Sequence, residues 1–223
     1  MIEYTLNRSS RKSVAIYVRD GAVEVRAPLR MPKSEIDRFV TEKDSWIRDK
    51  VAETGERLAK REAFSLDYGD KVLYRGAEYP IVAIPGNTVG FDDDAFFMPP
   101  GLPPEHVIGA CIQIYRLLAK RDLTDRVYDY VFKMHVSPTS VKINGAKKRW
   151  GSCSTNRSVN FSWHLVMADD DVIDYVVVHE LAHLKEMNHS EQFWSIVGSM
   201  LPDYAERKAR LYTLQKRLMD EGW

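Results

Sequence analysis

Two histidines four residues apart bracket a glutamate and two apolar residues in the stretch His179-Glu180-Leu181-Ala182-His183. On a helix this spacing puts both imidazoles on one face, about one turn apart, so both can reach a single metal ion. Glu180 projects sideways, outside the ligand set but within reach of an activated water, where a general base has to sit. The pattern therefore specifies hydrolysis by water activated on a metal ion, Zn2+ by the ligand chemistry. A catalytic zinc site commonly takes three protein ligands, and two residues compete for the third place. Glu186 lies seven residues after His179 and would continue the same ridge of a helix, yet three ligands in line surround a tetrahedral ion poorly. His189 serves better if the helix ends and the chain folds back, with Asn188 able to take the left-handed conformation that ends helices. His189 is assigned as the third ligand, and Glu186 supports the ligands from behind.

The elements around the motif must hold it. Asp169, Asp170 and Asp171 offer an N-cap and an acidic first turn, and Ile173, Val176, Val177, Leu181 and Leu184 continue a helix through the motif. Upstream, a long helix is expected from about Pro104 to Met134. A short strand at Ser140 to Ile143, a loop from Asn144 to Asn156 and a strand at Val159 to Met167 follow, with helices beyond the motif. In that last strand Phe161, Trp163 and Leu165 face one way and Ser162 and His164 the other. Near the metal such a strand would line the cleft and pair with an extended peptide, with His164 polarising a substrate carbonyl; as an ordinary exposed strand residue His164 needs no such role. Lys147-Lys148-Arg149 reads either as a solvated loop or as an anion site, with Arg149 the candidate to stabilise developing negative charge. Cys153 has no CxxC partner and reads as an inert thiol. Phe193, Trp194, Ile196 and Val197 read as core-facing residues of the next helix. Tyr175 and Tyr204 carry phenols, but nothing selects either for catalysis.

The first third alternates as strands do: Val14, Ile16 and Val18, then Val23, Val25 and Ala27, with Asp20-Gly21 as the hairpin turn. A helical period runs from Pro32 to Arg61, short strands fill Leu66 to Phe97, and Pro99-Pro100-Gly101 marks a junction. Strands first and helices later predict an α+β fold. The expected division is an N-terminal α/β region over 1–100 and a mainly helical hydrolase domain with a short sheet over 101–223, which could pack as one unit.

Composition narrows the partners. The 223 residues carry 32 Lys+Arg against 32 Asp+Glu, so no global charge draws the chain to nucleic acid, and no strong autonomous nucleic-acid binding is expected. The apolar run Val176-Val177-Val178 is cut by His179, and no membrane span is expected. No apolar h-region follows the charged N-terminus, and Cys111 and Cys153 are two and far apart. The expected setting is cytoplasmic, with reduced thiols.

The stretch DYVVVHELAHLKEMNHSEQFW, with KKRWGSCS and VNFSWHL upstream, resembles the YgjP-like metallopeptidase family, related to SprT-like and WLM zinc peptidases. DGAVEVRAP and FVTEKDSWI match the family's N-terminal pattern, so the resemblance covers nearly the whole chain and is most specific over 147–194. It implies a zincin-like catalytic half, His179, His183 and His189 as zinc ligands, Glu180 as the catalytic residue, and a peptide or protein substrate. One departure is Ala168-Asp169, where the family pattern has a small residue followed by proline. Two other functions fit the same residues: a nucleotide pyrophosphatase, with Lys147 to Arg149 holding the phosphates, and a non-catalytic protein- or DNA-associated zincin module.

Overall fold

The computed structural model describes residues 2–223, in an α+β arrangement of two compact units. One unit runs from the N-terminus to Phe64 and includes Met219–Gly222; the other comprises Ser65–Leu218 with Trp223.

In the first unit β1 (Thr5–Ser9), β2 (Ala15–Arg19) and β3 (Ala22–Pro28) form a sheet of order β1-β3-β2. β3 pairs in parallel with β1 and antiparallel with β2. Asp20 and Gly21 both take positive φ, 49° and 78°, as a two-residue hairpin turn that matches strand twist requires. Alternation does its work in β3: Val23, Val25 and Ala27 are buried and pack with Ile36, Val40 and Ile47. The helical stretch expected as one element is two helices, α1 (Lys33–Glu42) and α2 (Asp44–Ala63). At Lys43 (φ −104°, ψ 12°) the N–H turns back to the Val40 carbonyl at 3.1 Å, one residue short of an α-helical bond. That break lets Ile47 join Ile36 and Val40 on one core, which a straight helix of that length would carry past the sheet.

The second unit opens with β4 (Lys71–Tyr74), β5 (Ala77–Ala83), β6 (Gly90–Phe91) and β7 (Phe96–Met98), ordered β4-β5-β7-β6. The long helix α3 (Pro104–Met134) starts on a proline and stops where His135 adopts the left-handed conformation. Then come β8 (Ser140–Asn144), β9 (Gly151–Cys153) and β10 (Ser158–Ser162), in the order β8-β10-β9. The strand expected to reach Met167 ends at Ser162, and Trp163–Met167 is a 3-10 helix packed on α3. All five of its side chains are buried. A short apolar run enclosed on every side carries no periodicity to separate strand from helix.

Helix α4 (Asp170–Ala182) bears the histidine motif, and α5 (Glu191–Met200) and α6 (Tyr204–Glu221) follow. Asp169 holds the N-cap position of α4 by its backbone, accepting the Ile173 N–H at 2.9 Å, and its side chain makes no cap. The carboxylate lies instead over Gly76, where an added Cβ would meet Asp169 Oδ1. Gly76 also takes φ +77°, so a side chain there is excluded twice. Asp170 and Asp171 form the acidic first turn and pair with Arg75, Arg126 and Arg210.

Candidate metal centre

Nine residues of α4 are buried, with apolar ones on all sides, so the helix runs through the unit's interior. Polar groups inside such a helix are costly unless they are satisfied or put to use. Here they are His179, Glu180 and, at the C-cap, His183. The helix ends at Ala182 by tightening: Leu184 N–H bonds the Leu181 carbonyl at 3.0 Å and Lys185 N–H the Ala182 carbonyl at 2.9 Å. Asn188 is not among the positive-φ residues, so the left-handed ending expected there is replaced by this tight turn. The chain then doubles back and brings His189 to the motif.

His179, His183 and His189 form a cluster whose ligand atoms all lie within 4.8 Å of one another. The Nε2 atoms of His179 and His189 face each other at 3.1 Å. Two zinc–nitrogen bonds of ~2.0–2.1 Å at a tetrahedral angle would set their nitrogens roughly 3.4 Å apart. The pair thus fits a shared cation with a shift of a few tenths of an ångström. His183 donates Nδ1–H to the Glu186 carbonyl at 3.1 Å, which fixes its tautomer and leaves Nε2 as its lone-pair donor. Burial, helped by the neighbouring imidazoles, pushes His179 down to about 3, and His183 is also lowered, chiefly by burial. Both rings are therefore neutral near pH 7, the form that binds a metal. Glu186 is not in the cluster. Its carbonyl steadies His183 and its Oε1 accepts the Asn188 N–H at 3.2 Å, so it shapes the return of the chain.

Glu180 is 6% exposed, and its Oε2 is buried without a hydrogen-bond partner. Burial raises its carboxyl to about 8, with the charge of Arg149 pulling the other way. Its place is fixed by an absence on β9. A Cβ built on Gly151 would stand 2.5 Å from Glu180 Cγ and 2.7 Å from Oε1. Gly151 is not among the glycines with positive φ, so the demand at this position is for space. The Glu180 carboxylate occupies the volume any other residue's side chain would need.

The rings pack the cluster from the far side. Phe193, fully buried, lies within 4.6–4.9 Å of all three imidazole centroids. Trp194 stacks on His189 (5.7 Å, 25°) and Tyr204 stacks on Trp194 (5.2 Å, 16°). Ser190 caps α5 by accepting the Phe193 N–H at 3.3 Å, and this places both aromatics. Phe193 is buried, as its core-facing spacing on this helix predicts, and both rings in addition wall the histidines. The sequence signal for that wall is the cap at Ser190, the residue after His189, which turns positions 193 and 194 back over the imidazole.

Of the other candidates, Arg149 is drawn within electrostatic reach of Glu180. Tyr175 lies edge-on to His179, and burial together with the Glu180 charge pushes its phenol up to about 12. His164 sits on the 3-10 helix, 4% exposed, and is not part of the cluster. Its Nδ1 bonds Ser162 Oγ at 2.8 Å and its ring stacks on Trp163. The strand pairing expected for 159–165 is corrected too: β10 is paired on both sides, by β8 and β9, and has no edge left for a peptide. Cys111 and Cys153 are free thiols, both raised by burial.

Among solved structures the chain is similar to the metallopeptidase zymogen abylysin of Pyrococcus abyssi, at 23% identity over 41% of this chain and 92% of that one, with TM-score 0.38. It is also similar to the metallopeptidase zymogen jannalysin of Methanocaldococcus jannaschii, at 19% identity over 41% and 95%, again with TM-score 0.38. No curated protein matches it. The family model of the YgjP-like metallopeptidase domain matches residues 12–213, a span that takes in the three histidines, Glu180, Gly151 and Arg149. The chain belongs to the YgjP-like metallopeptidase-domain family.

Proposed function

We propose that this protein is a zinc-dependent peptidase in which His179, His183 and His189 hold the metal and Glu180 is the general base. The observation that carries the reading is the convergence of three histidine ligand atoms beside a buried carboxylate with an unpartnered oxygen. Zinc in such a set acts as a Lewis acid that lowers the pKa of water to about 7. Glu180 takes the proton of the attacking water and passes it to the leaving amine. Burial alone favours the protonated carboxyl, and a cation held by the neighbouring histidines would restore the carboxylate that a base requires. Arg149, the cation nearest in effect to Glu180, is the candidate to stabilise negative charge developing on the substrate oxygen. An extended peptide would add to β9, the edge strand that carries Gly151 against Glu180, because β10 is enclosed.

Glu180→Gln tests the assignment. Peptide turnover is expected to fall by roughly 10²–10⁴-fold, the usual worth of a positioned base, with zinc content by elemental analysis unchanged. Full turnover in that variant would remove Glu180 from the chemistry. His189→Ala should lose zinc, and undiminished zinc there would remove His189 from the ligand set.

A further inference from the structure

A cleft of about 450 Å³ opens between α3 and β8, within the range of small-molecule sites. Arg116, Lys120 and Thr124 line it from the helix, and Asn144, Gly145 and Trp163 from the other side. No carboxylate lines it. Arg116 and Lys120 are one helical turn apart, and among the described residues neither has an ion-pair partner. Like charges at that spacing weaken a helix, and an anion between them would relieve the cost.

Three further features turn donors toward one ligand. Trp163 is 4% exposed and lines the cleft, with Tyr115 stacked at 5.6 Å and 15° and His164 at 3.6 Å and 17°. Its faces are covered, so what it offers is the N–H edge, and that group has no acceptor among the described residues. Gly145 keeps the edge open: an added Cβ would come 3.1 Å from Nε1, although Gly145 is not a positive-φ position that favours glycine. Asn144 Oδ1 already accepts the Ala146 N–H at 3.0 Å, which leaves its amide NH2 as the free donor. Val141 and Ile143 add a half-buried apolar floor.

We propose that this cleft binds the phosphoryl group of a small molecule, at a site separate from the metal centre. Two cations with hydroxyl, amide and indole donors exceed what a singly charged carboxylate can use. A phosphomonoester, carrying ~1.5–2 negative charges on three oxygens, can use them all. The cleft is not an extension of the metal centre. β8 and β9 flank β10, so Asn144 and Gly151 lie on strands about 10 Å apart across the sheet.

The test follows the Trp163 indole N–H signal by NMR in the zinc-loaded protein, with phenyl phosphate, inorganic phosphate and benzoate as probes. Phenyl phosphate is expected to shift that signal saturably, and its Kd is expected to rise at least roughly tenfold in Arg116→Ala/Lys120→Ala, since charge-assisted bonds are lost. Both replaced side chains are exposed, so the variant should fold. Gly145→Ala should weaken binding with the cations intact. Removal of the metal with a chelator should leave binding unchanged. Tighter binding of phenyl phosphate than of inorganic phosphate identifies a phosphomonoester with an apolar body, and equal binding identifies the free ion. An unmoved indole signal, an unchanged Kd in the double variant, benzoate binding as tightly as phenyl phosphate, or loss of binding on removal of the metal would each overturn the proposal.

Discussion

The first unit and the metal-bearing part of the second follow opposite rules of construction. In the first, each element is two-faced: Val23, Val25 and Ala27 face inward along β3, and α1 turns in only Ile36 and Val40. Its ion pairs, such as Lys33–Asp37 and Arg48–Asp44, sit outside, and among its described side chains only Arg11 keeps a buried nitrogen without a partner. Around the metal centre, α4 is buried nearly all round and the polar side chains lie inside. Glu180 has an unpartnered oxygen, His179 an unpartnered Nδ1, and the rings are held by Phe193 and Trp194. The contrast teaches where to look. Polar groups kept inside at an energetic cost, clustered as they are around Glu180 and the histidines, point to chemistry.

Substitutions can break or sharpen that contrast. The largest effect is expected from Ile36→Ala, which empties a fully buried site in the first unit's core. It should cost ~2–5 kcal/mol of stability in denaturant unfolding, while the zinc content of the folded protein stays as in wild type. A similar zinc loss would show the two parts are not separable. Next, Gly151→Ala should lower kcat by about a hundredfold, because the new Cβ must displace the Glu180 carboxylate and misplacement of a catalytic group by ~1 Å costs on that order. Zinc binding and KM should barely move, which separates a displaced carboxylate from a damaged fold. Trp194→Ala, which removes the ring stacked on His189, should weaken zinc affinity by roughly tenfold in a competition titration with a chelator. Unchanged affinity would mean the backbone turn alone holds that ligand. Smallest of all, Arg48→Ala removes an exposed pair and should leave the melting temperature within error.

Much of this was legible from local pattern. The spacing of His179 and His183 guaranteed a shared helix face, and alternation around Asp20-Gly21 guaranteed a hairpin, since both follow from backbone geometry within a few residues. The preference for His189 over Glu186 rests on the argument that three ligands in a line fit a tetrahedral ion poorly, and the structure places the His189 ring beside His179 and His183. What local pattern left open was set by neighbours distant in sequence. His164 read as an outward strand residue, but packing on α3 coils its segment into a buried 3-10 turn. Asp169 read as a side-chain cap, but the space over Gly76, ninety-odd residues earlier in the chain, receives its carboxylate. Gly151 read as part of a loop, and only the approach of α4 to β9 makes its missing side chain the seat of Glu180.

The sequence by itself determined that a helix would present two imidazoles and a carboxylate with a third imidazole close behind, because those relations are short-range and periodic. The tertiary structure alone decided what surrounds them: the dry volume that raises the Glu180 carboxyl, the aromatic wall behind His189, and the strand edge beside Glu180. Desolvation and steric fit depend on every element that closes over a group, and spacing along the chain does not carry that information.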